Sequence, residues 1–343
     1  MNAMTYGLDI SKRVFQLYWE EEQTGQIFNR RFDRIGLIEF LTTRSKGHVA
    51  LEACGSGHWW ARKIESLGHS TTLLHPKFIR PFVQTNKTDA SDAKAIWTAV
   101  KQPGMRTVAI KSEDQQAVLG LHRIRSQLVK VRTMQVNQLR GLLYEFGISL
   151  KGGRQAGLAE IRSRMAELDE SVPGLLMSAL QDCLQRLSML DDDIEKIEKR
   201  IAAWMKGQAA CRSIAEIPGV GTLTATALVA TIGEARSFKS GREFASFVGL
   251  VPRQTGTGGK VRLGKISKRG DCYLRTLLIH GARSVLFSTK EKSTWLQAAV
   301  KRRPANVVAT ALANKIARTA WAILAHQSPY DSQHQSSRPV FNP

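Results

Sequence analysis

Residues 4–11, MTYGLDIS, are the stretch on which the fold of the N-terminal part depends. Their apolar and aromatic content predicts a buried β-strand. Residues 14–32 continue it as a predicted β-hairpin that turns near Thr24 and Gly25. Asp9 is the one acid within the first strand, and a carboxylate is costly to bury unless it is paired, hydrogen-bonded or bound to a cation. The stretch therefore predicts both a strand of a sheet and a candidate site residue.

Helices and strands alternate through the rest of the N-terminal part. Residues 35–44 and 58–68 predict helices, and the second ends at a glycine. Residues 48–54, HVALEAC, and 69–76, HSTTLLHP, predict two further buried strands. Residues 4–108 are therefore expected to form a compact α/β domain with a mixed sheet.

The middle of the chain, residues 109–210, is predicted to be helical. Apolar residues in 112–146 recur at alternating spacings of three and four, and the segment KGGRQAG at 151–157 is expected to be a linker. Residues 180–204 follow a heptad pattern apart from one slip at Asp191. A pattern of this length is typical both of a coiled coil between chains and of a helical hairpin within one chain, and the sequence leaves both open.

Residues 211–330 predict a mainly α-helical C-terminal domain, followed by a polar tail at 331–343. The segment IAEIPGVGTLTATALVATIG predicts two helices joined by a glycine turn, which is similar to a helix-hairpin-helix. Gly219 and Gly221 would let backbone N–H groups face a phosphate, whereas an ordinary helix pair is the alternative. The basic stretch at 249–271, GLVPRQTGTGGKVRLGKISKRGD, is expected to be a loop region.

The charge of the chain favours a polyanionic partner. Its 343 residues include 50 Lys and Arg against 29 Asp and Glu, so the net charge is +21 and the pI is near 10.2. No Lys-rich amphipathic helix with an aromatic face is present, and the most apolar late segment is interrupted by Lys315 and Arg318. Nucleic acid is therefore favoured over a membrane. The absence of a signal-peptide core and of paired cysteines predicts a cytoplasmic protein without a zinc site or a disulfide framework.

Four acids from three separated segments have the pattern of a divalent-metal site. Glu52 ends an apolar strand as Asp9 does, and NKTDASDAK, residues 86–94, places Asp89 and Asp92 on one face of a helix. Mg²⁺ prefers oxygen ligands, and two such ions can stabilise the entering and leaving oxygens of a phosphodiester. The alternative for the pair is that Asp89 caps the helix and Asp92 complements its dipole.

Basic side chains supply candidate contacts to a nucleic-acid backbone. Lys87 precedes the acid pair, and the C-terminal stretch adds Arg253, Lys260, Arg262, Lys265, Lys268 and Arg269. Thr257 lies between two glycines in that stretch and is a candidate nucleophile, because the neighbouring cations can hold a phosphate and stabilise the charge of the transition state. A flexible loop that only contacts phosphates is the alternative.

The chain resembles DEDD transposases of the insertion-sequence one-ten family, in the eleven-eleven subgroup, over residues 4–330. Five motifs in order carry the resemblance: YGLDISK, LEACGSG, NKTDASDAK, IPGVGTLTATALVATIG and GLVPRQTGTGGKVRLGKISKRGDCYLRTLLIHGAR. It implies an N-terminal RuvC-like domain of the ribonuclease-H type, a helical coiled-coil segment and a C-terminal transposase domain. It also implies that Asp9, Glu52, Asp89 and Asp92 are the DEDD acids.

The resemblance further implies a mechanism and partners. In the family a serine of the C-terminal domain forms a covalent link to DNA beside the metal-bound acids, and a structured bridge RNA pairs with donor and target DNA. This chain has Thr257 at the serine position, after Gly256. Thr257 is the favoured nucleophile, Ser267 is the alternative, and an impaired copy is the third possibility. A homo-oligomer, a dimer or a tetramer, is also expected.

The expected function is therefore Mg²⁺-dependent, RNA-guided recombination that moves the chain's own insertion sequence. One alternative is a four-way-junction nuclease, which needs the acids but no covalent hydroxyl. The other is an architectural DNA-binding protein without catalysis, which needs neither.

Overall fold

The structure is a computed structural model that describes residues 4–83, 86, 88–289 and 293–332. It divides into two compact units. Unit one contains the residues up to Glu113 together with Ile232–Ser237, and unit two contains Asp114–Thr231 together with the residues from Phe238 onward. The predicted domain boundary after residue 108 lies close to this division, and the predicted middle and C-terminal domains fall together in unit two.

Unit one is built on a six-stranded mixed sheet. Its strand order is β3-β2-β1-β4-β5-β6; β1, β4 and β5 run parallel, whereas β1–β2, β2–β3 and β5–β6 pair antiparallel. The strands are β1 (Thr5–Ile10), β2 (Phe15–Glu20), β3 (Ile27–Phe32), β4 (His48–Glu52), β5 (Ser70–Leu74) and β6 (Thr107–Val108). The predicted mixed α/β organisation is confirmed, including the hairpin, in which Gly25 has a positive φ.

Helices cover both faces of this sheet. They are α1 (Arg34–Thr43), α2 (Gly57–Ser66), the single turn α3 (Pro76–Ile79) and α4 (Asp89–Val100), with a short 3₁₀ turn at Arg80–Phe82. Leu8 and Leu51 pack on one face in a cluster that includes Leu41 of α1 and Trp60 of α2. Ala50 faces the other way, where it packs with α4. The alternation along each strand thus produces one core on each side of the sheet.

Unit two is mostly helical, as predicted. Its helices are α5 (Glu113–Glu145), α6 (Arg154–Ser163), α7 (Met165–Ser171), α8 (Gly174–Gly207), α9 (Ala209–Ala215), α10 (Thr222–Ile232), α11 (Gly241–Val248), α12 (Cys272–Ser288), α13 (Thr294–Arg302) and α14 (Ala305–His326). The first residue of α5 and the end of α10 belong to unit one by the division above. The predicted linker at 151–157 is shorter than expected, because α6 already begins at Arg154.

Most of the heptad residues of α8 are buried within the chain, and Leu184 and Trp204 are half-buried. Leu187 is 2% exposed and lies in a cluster with Leu139 of α5. At the predicted slip, Asp191 accepts hydrogen bonds from Arg132 of α5 at 2.6 Å and from Arg154 at 2.6 Å. The apolar pattern is therefore satisfied by a hairpin within one chain, which was one of the two alternatives, and the slip is the position of an ion-pair cluster.

The stretch predicted as a loop at 249–271 contains a β-ribbon instead. Strands β7 (Pro252–Thr257) and β8 (Lys260–Ile266) pair antiparallel across a two-residue turn. Gly258 and Gly259 have φ values of 57° and 78°, which is the backbone of a type I′ hairpin turn. The prediction of a loop was wrong because the two glycines were taken as a sign of flexibility rather than as a turn between alternating residues.

One described helix, α14, is long and apolar enough to cross a membrane by length and composition. It packs against α11 and α12, and its residues Val308, Ala313 and Ala317 are buried. A core helix of a folded domain has the same properties.

Candidate active site

Asp9 and Glu52 lie side by side at the carboxyl ends of two neighbouring parallel strands. Leu8 of β1 pairs with Leu51 of β4, and the two acids are the next residue on each strand. Both side chains are half-buried. The sheet therefore brings together two acids that are more than forty positions apart in sequence, as expected of a site at one edge of a sheet.

Gly7 determines how closely α4 approaches this edge. A Cβ at Gly7 would lie 2.3 Å from the backbone oxygen of Ala93 and 2.7 Å from the Cβ of Trp97, so any side chain would push α4 away from β1. Residues i and i+2 of a strand point to the same face, so Asp9 lies on the face that α4 covers. A glycine inside an apolar strand is a sign of such an approach, and the prediction did not include it.

Asp89 and Asp92 lie in the first turn of α4, on the segment that leads to the contact with Gly7. The helix is capped by Thr88, whose Oγ1 accepts a hydrogen bond from the backbone N–H of Ser91 at 3.2 Å, while Ser91 Oγ accepts one from the N–H of Thr88 at 3.0 Å. The alternative in which Asp89 caps the helix is therefore wrong. Thr88 caps it, and both acids lie in the first turn, where the alternative that Asp92 complements the helix dipole stays open.

The four acids interact electrostatically. The pKa of Asp9 is raised from 3.8 to about 6, first because burial disfavours the charged carboxylate and then because Asp92, Asp89 and Glu52 add negative charge around it. The backbone N–H of Ile10 opposes this shift by a hydrogen bond. The other three predicted metal ligands therefore lie close enough to raise the pKa of Asp9.

These acids are neighbours without forming a closed ligand shell. Within residues 4–83, 86, 88–289 and 293–332, no group of three or more His, Cys, Asp or Glu side chains is gathered tightly enough to hold an ion. The donor set is nevertheless one that suits a hard divalent cation, because it consists of carboxylate oxygens. Mutual repulsion and burial at Asp9 are the costs that such a cation would remove.

Two amide side chains that the sequence analysis did not single out adjoin this site. Gln16 is the cross-strand partner of Asp9 on β2. Its Nε2 donates to Asn29 Oδ1 at 2.6 Å, and Asn29 Nδ2 donates to the backbone oxygen of Ala90 at 3.1 Å. The polar position within an otherwise apolar strand, FQLYW, was the available sign.

Thr257 lies at the tip of the ribbon in unit two, on a face with cations. Cross-strand partners share a face of a two-stranded ribbon, so Thr257 lies with Lys260, and Thr255 with Arg262. The opposite face carries Val261 and Leu263, which are 59% and 70% exposed. One face of the ribbon therefore carries hydroxyl groups and positive charges, and the other face is apolar. The prediction of a loop did not include this division.

Ser267, the alternative nucleophile, lies in a tight turn beyond the ribbon. Its backbone N–H donates to Val251 O at 2.8 Å, and its Oγ accepts a hydrogen bond from the N–H of Arg269 at 3.4 Å. Lys268 between them has a φ of 53°. Ser267 is half-buried whereas Thr257 is exposed, so Thr257 is the more accessible of the two hydroxyls.

The remaining predicted nucleic-acid contacts differ in their surroundings. Side chains at the surface are those of Arg253, Lys260, Arg262, Lys265, Lys268 and Arg269. Gly219 has a φ of 90°, and a Cβ there would lie 2.8 Å from the backbone oxygen of Gly281 on α12, so packing alone accounts for this glycine. Gly221 has open space around it. Lys87 lies outside the described residues.

Two family models match parts of this chain. Residues 211–297 match the family described as "Transposase IS116/IS110/IS902 family", and residues 6–148 match the DEDD transposases of the IS110 type, described as "Transposase". The first range contains the ribbon, and the second contains all four acids.

Three relatives that match nearly the whole chain are named as transposases. The chain is 44% identical over 335 residues to a "Probable family 20 transposase" of Pseudomonas aeruginosa, which covers 96% of this chain and 99% of that protein. It is 39% identical to the transposase for insertion sequence element IS1328 of Yersinia enterocolitica, over 94% of this chain and 97% of that protein. Identity to the transposase for insertion sequence element IS1111A of Coxiella burnetii is 38%, over 94% and 90%.

Proposed function

Since the chain belongs to the IS116/IS110/IS902 family of transposases and acts on DNA by cleavage and strand exchange, we propose that its four clustered acids hold Mg²⁺ for that reaction. Asp9, Glu52, Asp89 and Asp92 are the ligands in this proposal, in a domain of the RuvC-like, ribonuclease-H type. The observation that carries it is geometric: β1 and β4 place Asp9 beside Glu52, and α4, which carries Asp89 and Asp92, packs over Gly7 on the same face of the sheet. The raised pKa of Asp9 agrees with this placement.

The two strand acids and the two helix acids have different supports. Asp9 and Glu52 are fixed by the pairing of β1 with β4, whereas Asp89 and Asp92 are fixed by the packing of α4 over Gly7. When bound, a divalent cation polarises phosphate oxygens and lowers the pKa of a bound water. The proposed role of the protein side chains is to hold that cation with carboxylate oxygens.

Thr257 supplies the hydroxyl of the proposed covalent step. Its Oγ1 would form a bond to phosphorus while the bond from phosphorus to one sugar oxygen breaks, and that oxygen leaves with a proton. One phosphodiester is exchanged for another, so no nucleotide cofactor is needed. Lys260 shares the face of Thr257, where its charge favours the phosphate and the developing negative charge.

Binding of nucleic acid is proposed to use the basic surface of unit two. The exposed cations of the ribbon and the turn at Lys268 contact backbone phosphates, which position DNA without reading its sequence. A structured bridge RNA would then supply sequence choice by base pairing, in a cytoplasmic assembly of two or four copies. The net charge of +21 supports two polyanionic partners for one chain.

The proposed chemistry is tested by asking which variants form a protein–DNA adduct that survives boiling in detergent. We expect Asp92→Asn to bind DNA without cleaving it, because it removes one ligand charge with little change in shape. Thr257→Ala should cleave no strand and form no adduct, whereas Thr257→Ser should form at least as much adduct as the wild type, because serine lacks the hindering methyl.

Thr255→Ala is the matched control, since Thr255 lies on the same ribbon face two residues away. Adduct formation by Thr257→Ala but not by Ser267→Ala would move the nucleophile to Ser267. Cleavage without any adduct in the wild type would favour a junction nuclease.

A further inference from the structure

A pair of amide side chains links the strand beside Asp9 to the helix that carries Asp89 and Asp92. Gln16 lies opposite Asp9 in the β1–β2 pairing and is only 9% exposed. Its hydrogen bond to Asn29 and the bond from Asn29 to the backbone of Ala90 connect β2, β3 and the first turn of α4. Ala90 lies directly after Asp89, so the last bond of this amide relay holds the part of α4 on which the helix acids stand.

The chemistry of the relay fixes the orientation of both amides. The acceptor at Ala90 is a backbone carbonyl, which can only accept, so Asn29 must present its Nδ2 to it. Asn29 then presents Oδ1 to Gln16, and Gln16 must donate with its Nε2. This is the one arrangement of the two amides in which both hydrogen bonds form, and it matches the contacts at 2.6 Å and 3.1 Å.

The relay leaves an oxygen on the side of the acids. Strands β1 and β3 flank β2 on opposite sides, and the Nε2 of Gln16 is turned to β3. Its Oε1 accepts no hydrogen bond from the described part of unit one. A carbonyl oxygen beside carboxylates can accept a hydrogen bond from water or can bind a hard cation that stands between them.

We infer that Gln16 and Asn29 are positioning residues of the acid site: the relay holds the first turn of α4 against Asp9 and presents Gln16 Oε1 to the cation or to its water. This inference rests on the proposed metal function of the acids. It predicts that metal binding depends on two neutral residues that no charge pattern marks. Residues that orient metal ligands typically change metal affinity by about 10- to 100-fold when they are replaced.

The test measures the Mg²⁺ concentration that gives half of the metal-induced rise in the melting temperature of the full chain. Gln16→Met keeps the length of the side chain without its amide, and Asn29→Thr keeps a strand-forming residue without the reach to Ala90. Each variant should raise the midpoint by about tenfold or more. Gln26→Met is the matched control, because Gln26 is exposed in the same hairpin, and its midpoint should equal that of the wild type.

The double variant reports whether the two residues act as one unit. If they do, Gln16→Met with Asn29→Thr should have a midpoint close to that of the more affected single variant. Unchanged midpoints in folded variants would overturn the relay while leaving the metal site in place, even if the melting temperature in chelator is lower, because that result would show a purely structural role. If Mg²⁺ does not raise the melting temperature of the wild type, the proposed metal function is wrong, and the inference about the relay is then wrong as well. Because Asn29 is exposed, its variant remains informative if Gln16→Met does not fold.

Discussion

Replacement of Asp9 by Asn should stabilise unit one in the absence of metal, although it removes a proposed catalytic group. The pKa of Asp9 is raised from 3.8 to about 6 by burial and by the acids around it. Each pKa unit corresponds to about 1.36 kcal/mol, so the ionised carboxylate costs unit one no more than about 3 kcal/mol of stability at pH 8, and solvent around this half-buried group lowers the figure. Asparagine has nearly the same shape and no charge, and it should recover much of that energy.

The sign of the effect depends on pH. A raised pKa means that folded Asp9 holds its proton between pH 3.8 and about 6 while the unfolded chain loses it. The stability that Asp9 contributes is therefore complete below pH 3.8 and is lost as the pH rises through 6. The difference in unfolding free energy between Asp9→Asn and the wild type should accordingly grow from pH 4 to pH 7 and then stay constant.

Hydrogen exchange of the β1 and β4 amides in EDTA, followed between pH 4 and pH 8, measures this difference for unit one alone. Glu22→Gln is the control, because it makes the same change of charge at an exposed position of the β2–β3 hairpin. Added Mg²⁺ should reverse the order at pH 8 by stabilising the wild type more than the variant. A difference that is the same at pH 4.5 and pH 8 would refute the electrostatic account of the site.

Three further predictions concern other parts of the chain. In unit two, burial and Arg125 lower the pKa of His122 from 6.5 to about 4. Unit two should therefore lose about 3 kcal/mol of stability as the pH falls from 6.5 to 4. In urea unfolding, His122→Gln should make the stability less dependent on pH, and an equally steep loss in the variant would contradict this account. Leu187→Ala should lower the free energy of unfolding by about 2–5 kcal/mol, because it opens a cavity within the chain. Light scattering should show an unchanged assembly mass, and a lower mass would instead favour a coiled coil between chains. Gly7→Ala should lower the free energy of unfolding by about 1–3 kcal/mol, because the added methyl group forces α4 away from β1. It should also weaken the stabilisation by metal. Unchanged metal binding would mean that this contact does not position Asp89.

The sheet of unit one could be predicted because its strands are short apolar runs separated by clear turns. Asp9 and Glu52 could be placed for the same reason, since both end such runs and parallel strands end at the same edge. The helix acids could be placed on one face by their spacing of three. The spacing could not predict how closely α4 approaches β1. This approach requires a residue without a side chain at Gly7, and it involves two segments more than eighty residues apart.

The sequence left open, or did not single out, residues whose role depends on distant contacts. Leu187 and Asp191 lie in a pattern that fits a coiled coil between chains equally well, and only the positions of α5 and Arg132 show that the chain satisfies it alone. Gly219 has the spacing of a phosphate-binding turn, but its neighbour Gly281 on α12 already requires a glycine there. Gln16 and Asn29 were missed because single polar residues in strands carry no periodic pattern.

The acids and Thr257 have different structural support, and under the proposed function this difference would affect how the reaction is controlled. Asp9 and Glu52 extend from strands whose neighbours, Leu8 and Leu51, are fully buried, so their positions are held by the core of unit one. Every residue of β7 is exposed, and a two-stranded hairpin without a packed face is marginally stable in water. Nucleic acid bound to the cations of the ribbon would therefore contribute to ordering it, so the hydroxyl would reach its reactive position mainly when a phosphate is present. Substitutions around the acids should change folding and metal binding together, whereas substitutions on the ribbon should leave the stability of unit two nearly unchanged and act on DNA.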